Sequence, residues 1–115
     1  MEVSYGRSTE ALIVTANGRV DESSWSEFSA YLVDGVRNAA NQSLWTMIID
    51  LSKIDYMSSR GLRALTIARQ EGIASGVSVR LAVPNEVMRE ILSISRYNRL
   101  FPVDESLPPD IASLT

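Results

Sequence analysis

The spacing of apolar positions along the chain changes several times, and each change marks a structural element. Val3 and Tyr5 alternate with Ser4 and Gly6, a short strand signal. Ser8-Thr9-Glu10 reads as a turn, and residues 11–16 form a clearer apolar strand that Asn17-Gly18 ends. Ser24 and Glu27 have capping-box spacing, so a first helix is expected to start near residue 24. Trp25, Phe28, Leu32, Val36 and Ala39 follow at three- and four-residue spacing and give it one apolar face. Residues 38–43 form its polar exit. Residues 44–51 are almost continuously apolar, which suits a central strand covered on both faces.

Residues 52–57 read as a loop. A second helix starts at Ser58 or Ser59 and runs to about Ala74, with Leu62, Leu65, Ala68 and Ile73 as its buried stripe and Gly72 and Gly76 marking its end. Val77, Val79, Leu81 and Val83 alternate with Ser78, Arg80 and Ala82 in a further strand. Asn85 is placed to cap a third helix whose apolar side is Met88, Ile91 and Leu92. A short strand is expected around Phe101, and Pro108-Pro109 can open a short last helix. Strand-helix-strand repetition implies right-handed crossovers and a largely parallel or mixed sheet. The expected fold is α/β: one domain over residues 1–115, a mixed sheet of four to five strands, three main helices and a short C-terminal helix.

Composition narrows function mainly through its zeros. The 115 residues include no His and no Cys. That removes a Ser-His-Asp triad, imidazole ligands, thiol nucleophiles, disulfides and zinc-thiolate sites. A net charge of −3, with ten Arg and one Lys scattered along the chain, argues against direct nucleic-acid binding. The first residues lack the basic and apolar regions of a signal peptide, and no apolar run approaches the roughly 20 residues of a membrane span. A cytoplasmic monomer without membrane insertion is the expectation. Neither GxxxxGK[ST] nor GxGxxG occurs. Glu86 and Glu90, four apart on the third helix, read as a solvated face.

The chemistry concentrates in residues 50–65. A buried strand ends at Asp50, a short connection follows, and a helix begins on Ser58-Ser59 with Gly61 in its first turn. Open α/β sheets place binding sites at this end of their strands. A serine at a helix start can cap it, worth about 1 kcal/mol. A phosphoserine there meets unpaired N–H donors and a favourable dipole. Gly inside a helix costs about 1 kcal/mol relative to Ala, so Gly61 implies close approach by a neighbouring element or a partner. Asp21 is expected to cap the first helix or to share this sheet edge. Asp50 is placed to order the 52–57 connection. Trp25 and Trp45 read as core, and Met57 and Leu62 as flanking apolar groups suited to a docking patch.

The run Asp50-Leu51-Ser52 followed by residues 56–65, Tyr-Met-Ser-Ser-Arg-Gly-Leu-Arg-Ala-Leu, resembles the signature of STAS domains, specifically the stand-alone anti-sigma factor antagonists. Gly18-Arg19-Val20-Asp21, Pro84 and Leu100-Phe101 fit the same pattern across nearly the whole chain. The resemblance implies a single STAS-like domain that is a substrate and binding partner, not an enzyme, and needs no cofactor. It implies binding to an anti-sigma factor that is also a serine kinase of the histidine-kinase-type ATPase fold. It further implies release when one serine at the start of the second helix is phosphorylated, and resetting by a PP2C-type phosphatase. Laid on this chain, the phosphorylated residue is Ser59, with Ser58 as second choice. Asp21, Met57, Ser58, Arg60, Gly61 and Leu62 are the implied partner contacts. Ser58 stands where the family commonly has Asp, and Arg60 where it has a small residue. The alternatives are a non-phosphorylated STAS scaffold in a signalling or transporter complex, and a small-ligand binder or enzyme, which the missing catalytic groups disfavour.

Overall fold

The computed structural model describes residues 1–114; Thr115, the last position of the domain expected over residues 1–115, lies outside the described residues. The elements are β1 (Glu2–Arg7), β2 (Ala11–Val20), α1 (Trp25–Asn41), β3 (Thr46–Asp50), β4 (Ile54–Met57), α2 (Ser59–Ser75), β5 (Ser78–Ala82), α3 (Glu86–Ser95), α4 (Tyr97–Leu100), β6 (Val103–Asp104) and β7 (Ala112–Ser113). They form a single α/β domain around one mixed sheet, with strand order β6-β5-β3-β2-β1-β7 and β4 paired to β2 off that path. β1 and β7 run antiparallel to their neighbours, and the pairs β2–β3, β3–β5, β5–β6 and β2–β4 are parallel.

The two-residue period of the strands divides their side chains between two environments. Leu12, Val14, Met47, Ile49 and Leu81 face α1 and α2, where they meet Phe28, Leu32, Val36, Ala64, Leu65 and Ala68 in the main core. Each large side chain buried there contributes roughly 1.5–3 kcal/mol. Ala11, Ile13, Ile48 and Ala82 point the other way and form a smaller cluster, against which Val83 and Leu107 pack. The double burial expected for the central strand is therefore real: β3 sends Met47 and Ile49 to one face and Ile48 to the other.

Several local expectations are corrected. β2 does not stop at Asn17-Gly18 but continues to Val20, because Gly18 takes φ +113° and lets the strand shift register and pair with β4. The sheet has seven strands, not four or five; β4 lies where a loop was expected, β7 was not expected, and β6 and β7 are each only two residues long. The short strand expected within residues 97–103 around Phe101 lies slightly later, as β6 at Val103–Asp104, after the unexpected short helix Tyr97–Leu100; the chain from Pro108 leads into β7 instead of a helix. Leu65 and Ala68 are buried in α2 as expected and Leu62 is half-buried, but Ile73 is 65% exposed, and Gly61, Ala64 and Gly72 complete the buried face. Small residues hold this helix close to the sheet, so an apolar-periodicity count misses the glycines and Ala64 and wrongly adds Ile73. Trp45 is 55% exposed because it precedes β3 at the sheet margin, and Trp25 is half-buried at the start of α1. Asn85 caps α3 as expected, accepting from the Met88 N–H at 2.9 Å, and Glu86 and Glu90 are exposed.

The β5–β6 edge is closed by a two-pronged ion pair. Arg80 Nε donates to Asp104 Oδ2 at 2.9 Å and Nη2 donates to Oδ1 at 2.8 Å. These hydrogen bonds hold the Asp104 carboxyl below the usual carboxylate range, against the opposing effect of partial burial. Both side chains are about one-third exposed, so solvent screening limits the pair to no more than about 1 kcal/mol. A depressed carboxyl contributes stability that is fully present above its unfolded pKa of about 4 and is lost as pH falls through the folded value. Asp104→Asn is accordingly expected to lower the urea midpoint at pH 7 and to differ less from wild type at pH 2.5.

Candidate functional site

The last residues of β2 and β4 and the first turns of α1 and α2 meet at one margin of the sheet. Beyond the bulge, Arg19 and Val20 pair with Tyr56 and Met57. The Val20 carbonyl then accepts the Ser58 N–H at 2.8 Å, so the end of β2 fixes the residue at which α2 begins. Ser58 is extended (φ −75°, ψ 174°) and its Oγ accepts the Gly61 N–H at 3.3 Å. It is the N-cap, half-buried and engaged. Ser59 is the first helical residue and is exposed. The adjacent hydroxyls that sequence could not separate are thus structurally unequal.

Gly61 explains how α2 reaches this position. A Cβ there would lie 2.4 Å from Met57 Cγ and 2.7 Å from Val20 Cγ1. The close approach belongs to neighbouring strands of the same domain, not to a partner. Met57 is 2% exposed and packs beneath the helix. The expectation that Met57 and Gly61 offer a docking surface is therefore corrected: both are buried and shape the site from below. Leu62 is half-buried, and Ser59, Arg60 and Arg63 are open to solvent.

Asp21 follows Val20 directly and organises the start of α1. Its Oδ1 accepts from the Ser23 N–H at 3.0 Å and the Ser23 hydroxyl at 2.8 Å, while its backbone carbonyl accepts the Trp25 N–H at 2.9 Å. Hydrogen bonds from Ser23, first from its hydroxyl and then from its N–H, together with Ser24 and Arg19, hold the Asp21 carboxyl below its ordinary range. The expected capping box does not form. Ser24 Oγ donates to the Arg19 carbonyl at 2.6 Å and accepts the Asp21 N–H at 3.0 Å, closing the loop instead of capping α1 with its side chain.

Arg60 joins the two helix starts. Its Nε lies 3.1 Å from Glu22 Oε2, and its guanidinium carbon sits 5.4 Å from the centroid of the Trp25 ring. Arg19 covers the Tyr56 ring at 4.6 Å in the same way. Sequence reasoning missed Glu22, Trp25, Arg19 and Tyr56 as members of this surface. The bulky Arg60 beside a serine pair was the available signal, but its acidic partner lies 38 positions away in the chain. Asp50 is buried, accepting the Thr15 hydroxyl at 3.2 Å and the Ser52 N–H at 2.9 Å, and so orders the connection into β4 as expected.

The margin carries hydroxyl, guanidinium and carboxylate groups; Ser58 and Ser59 line none of the clefts of about 410, 370 and 320 Å³. Among the described residues, no group of His, Cys, Asp or Glu is arranged to hold a metal ion, and no helix is long and apolar enough to cross a membrane. An exposed hydroxyl at a helix start, next to an arginine paired with Glu22, is accessible for modification and recognition.

Comparison with known proteins gives this geometry its class. The STAS domain model matches residues 3–108, and the chain belongs to the STAS domain family. Among solved structures it is similar to a Thermotoga maritima protein proposed to be an anti-sigma factor antagonist, at 18% identity and TM-score 0.77, covering 91% of this chain and 87% of the other. It is similar to an anti-sigma factor antagonist (STAS) domain protein from Planctomyces limnophilus, at 12% identity and TM-score 0.76, covering 91% of each chain. It is also similar to the phosphorylated form of the Bacillus cell fate determinant SpoIIAA, at 18% identity and TM-score 0.62, covering 91% and 92%. At these identities the likeness concerns the fold. No curated protein matches the chain by sequence.

Two substitutions probe the site's construction. Ser58→Ala is expected to cost about 1 kcal/mol through loss of the cap, whereas Ser59→Ala should stay within about 0.5 kcal/mol of wild type in urea unfolding. Gly61→Ala gains helix propensity yet should destabilise by about 1–3 kcal/mol, because its methyl forces Met57 and Val20 apart.

Proposed function

We propose that the chain is an anti-sigma factor antagonist that works by partner switching. Residues 1–115 act as one STAS domain. The unmodified protein binds an anti-sigma factor that is also a serine kinase of the histidine-kinase-type ATPase fold. Phosphorylation of Ser59 ends that complex, and a PP2C-type phosphatase restores the binding form. The chain is the substrate of these reactions and not their catalyst.

The observation that carries this reading is the division of labour between the two serines. Ser58 Oγ is engaged with the Gly61 N–H, whereas Ser59 is exposed at the first helical position. A kinase can reach Ser59 without unfolding the cap. Support for the class comes from family membership and from similarity to proteins described as anti-sigma factor antagonists, one of them in a phosphorylated form.

Phosphate adds about −1.5 to −2 charges and three acceptor oxygens. The first turn of α2 tolerates that charge, since the N–H groups and dipole of a helix start favour an anion. Release is therefore assigned to the interface, where desolvation of the phosphate or its repulsion from a partner carboxylate need cost only about 2.8 kcal/mol for a hundredfold loss of affinity. Asp21, Ser58, Arg60 and Leu62 border Ser59 in this proposal, with Met57 and Gly61 supporting them from beneath.

Titration of the partner kinase with wild type, Ser59→Ala and Ser59→Asp tests the proposal. Retained affinity for the Ala variant and a loss of about tenfold or more for the Asp variant are expected, the latter an incomplete imitation of a dianion. Equal binding by all three would instead favour a STAS scaffold that works without phosphorylation.

A further inference from the structure

Arg60 and Arg63 both lie near the start of α2 and both are exposed, but only one of them is engaged. Arg60 turns toward α1, with its Nε 3.1 Å from Glu22 Oε2 and its guanidinium over the Trp25 ring. Arg63 makes no hydrogen bond, ion pair or ring contact among the described residues. No carboxylate competes for it along the helix either. The positions three and four away from it, before and after, hold Arg60, Ser59, Thr66 and Ile67. Its one charged neighbour at such a spacing is therefore Arg60, a like charge, which is unfavourable.

Ser59 stands four residues before Arg63 in the same helix, which puts the two exposed side chains on one face, a turn apart. Long helical side chains lean toward the N-terminus, the direction in which Ser59 lies. Side chains at this spacing interact, and an anion on the N-terminal side of a cation is the favourable order. Ser59 holds the anion's place in such a pair but carries no charge until it is modified. A phosphate there brings about −1.5 to −2 charges and three acceptor oxygens, and the planar guanidinium fork can donate to two of them at once. Arg60 is less well placed for this, because adjacent residues diverge around a helix and its guanidinium is already held by Glu22 and Trp25.

We propose that Arg63 is the counter-ion of phosphorylated Ser59: the unpaired guanidinium donates to the phosphate oxygens and holds the modified side chain against its own helix. This inference rests on the reading of Ser59 as the modified residue and assigns Arg63 as a positioning residue for that state. Arg60 keeps its contacts with Glu22 and Trp25, so the two arginines divide the work as the two serines do. One arginine ties α2 to the start of α1, and the other answers the charge that modification introduces. The pairing needs no movement of the backbone, because both side chains are already exposed on the same face.

The test installs phosphoserine at position 59 of the full chain during synthesis and follows the second ionisation of the phosphate by phosphorus NMR at low ionic strength. A nearby cation favours the dianion, so removing it raises that pKa from its value near about 6. Arg63→Gln is expected to raise it by about 0.3 unit or more, and Arg63→Lys to recover most of the difference. Arg69→Gln, the same loss of charge ten residues from Ser59 in the same helix, and Arg60→Gln are the controls, and both should shift it less. Arg19 at the end of β2, Asp21 and Glu22 before α1 and Asp55 on β4 are the other charged groups on elements packed around the start of α2; all are retained in every variant, as is the helix start itself. A shift in Arg63→Gln no larger than that of either control would overturn the proposal. Because the phosphate is installed and not selected by a kinase, that result would leave the switch reading standing, whereas equal partner binding by the Ser59 variants would sink the switch reading and leave the measured pairing intact.

Discussion

Much of the candidate site depends on how closely α2 approaches the ends of β2 and β4. Gly61 permits that approach; a methyl group at this position would already fall within van der Waals radii of Met57 and Val20. With the helix seated there, the Val20 carbonyl can take the Ser58 N–H, Ser58 can cap the helix, and the next residue is left outside. A glycine that weakens the helix in isolation thus strengthens the packing that sets the serine's address. The local cost of about 1 kcal/mol is offset by contacts that only the folded domain provides.

The same seating brings two helix starts into one surface. Asp21 orders the turn before α1 by accepting from Ser23, while Arg60 of α2 reaches back to Glu22 and Trp25. Each exposed contact is weak alone, since a solvent-exposed ion pair is worth no more than about 1 kcal/mol. Together they orient a guanidinium beside Ser59 and close to an acidic loop. A phosphate on that serine, as proposed, would act on a mixed electrostatic surface without any need to rearrange the sheet beneath it.

The sequence made the α/β class, the main helices and the serine-bearing turn legible, because each depends on local periodicity or capping. Asn85 and Gly76 mark helix ends in the chain just as they do in space. What escaped was set by tertiary contacts. Nothing local tells that Gly18 will shift the register of β2 and recruit residues 54–57 into a strand. Ile73 looks buried by hydropathy, but the helix turns its small residues inward because only they let it lie close to the sheet. Met57 was read as a surface group for the same reason: its burial depends on a glycine four positions later meeting it from above. The pairing of β7 with β1 was invisible because the two strands lie at opposite ends of the chain.

The central claim concerns the serine pair at the start of α2: of two neighbouring hydroxyls, one is structural and the other is the switch. The most direct measurement is localisation of phosphate by tandem mass spectrometry on the protein recovered from its own cells with and without the partner kinase. The account requires kinase-dependent phosphate on Ser59 and none on Ser58; phosphate confined to Ser58, or absent from both under every condition in which the partner is released, would contradict it.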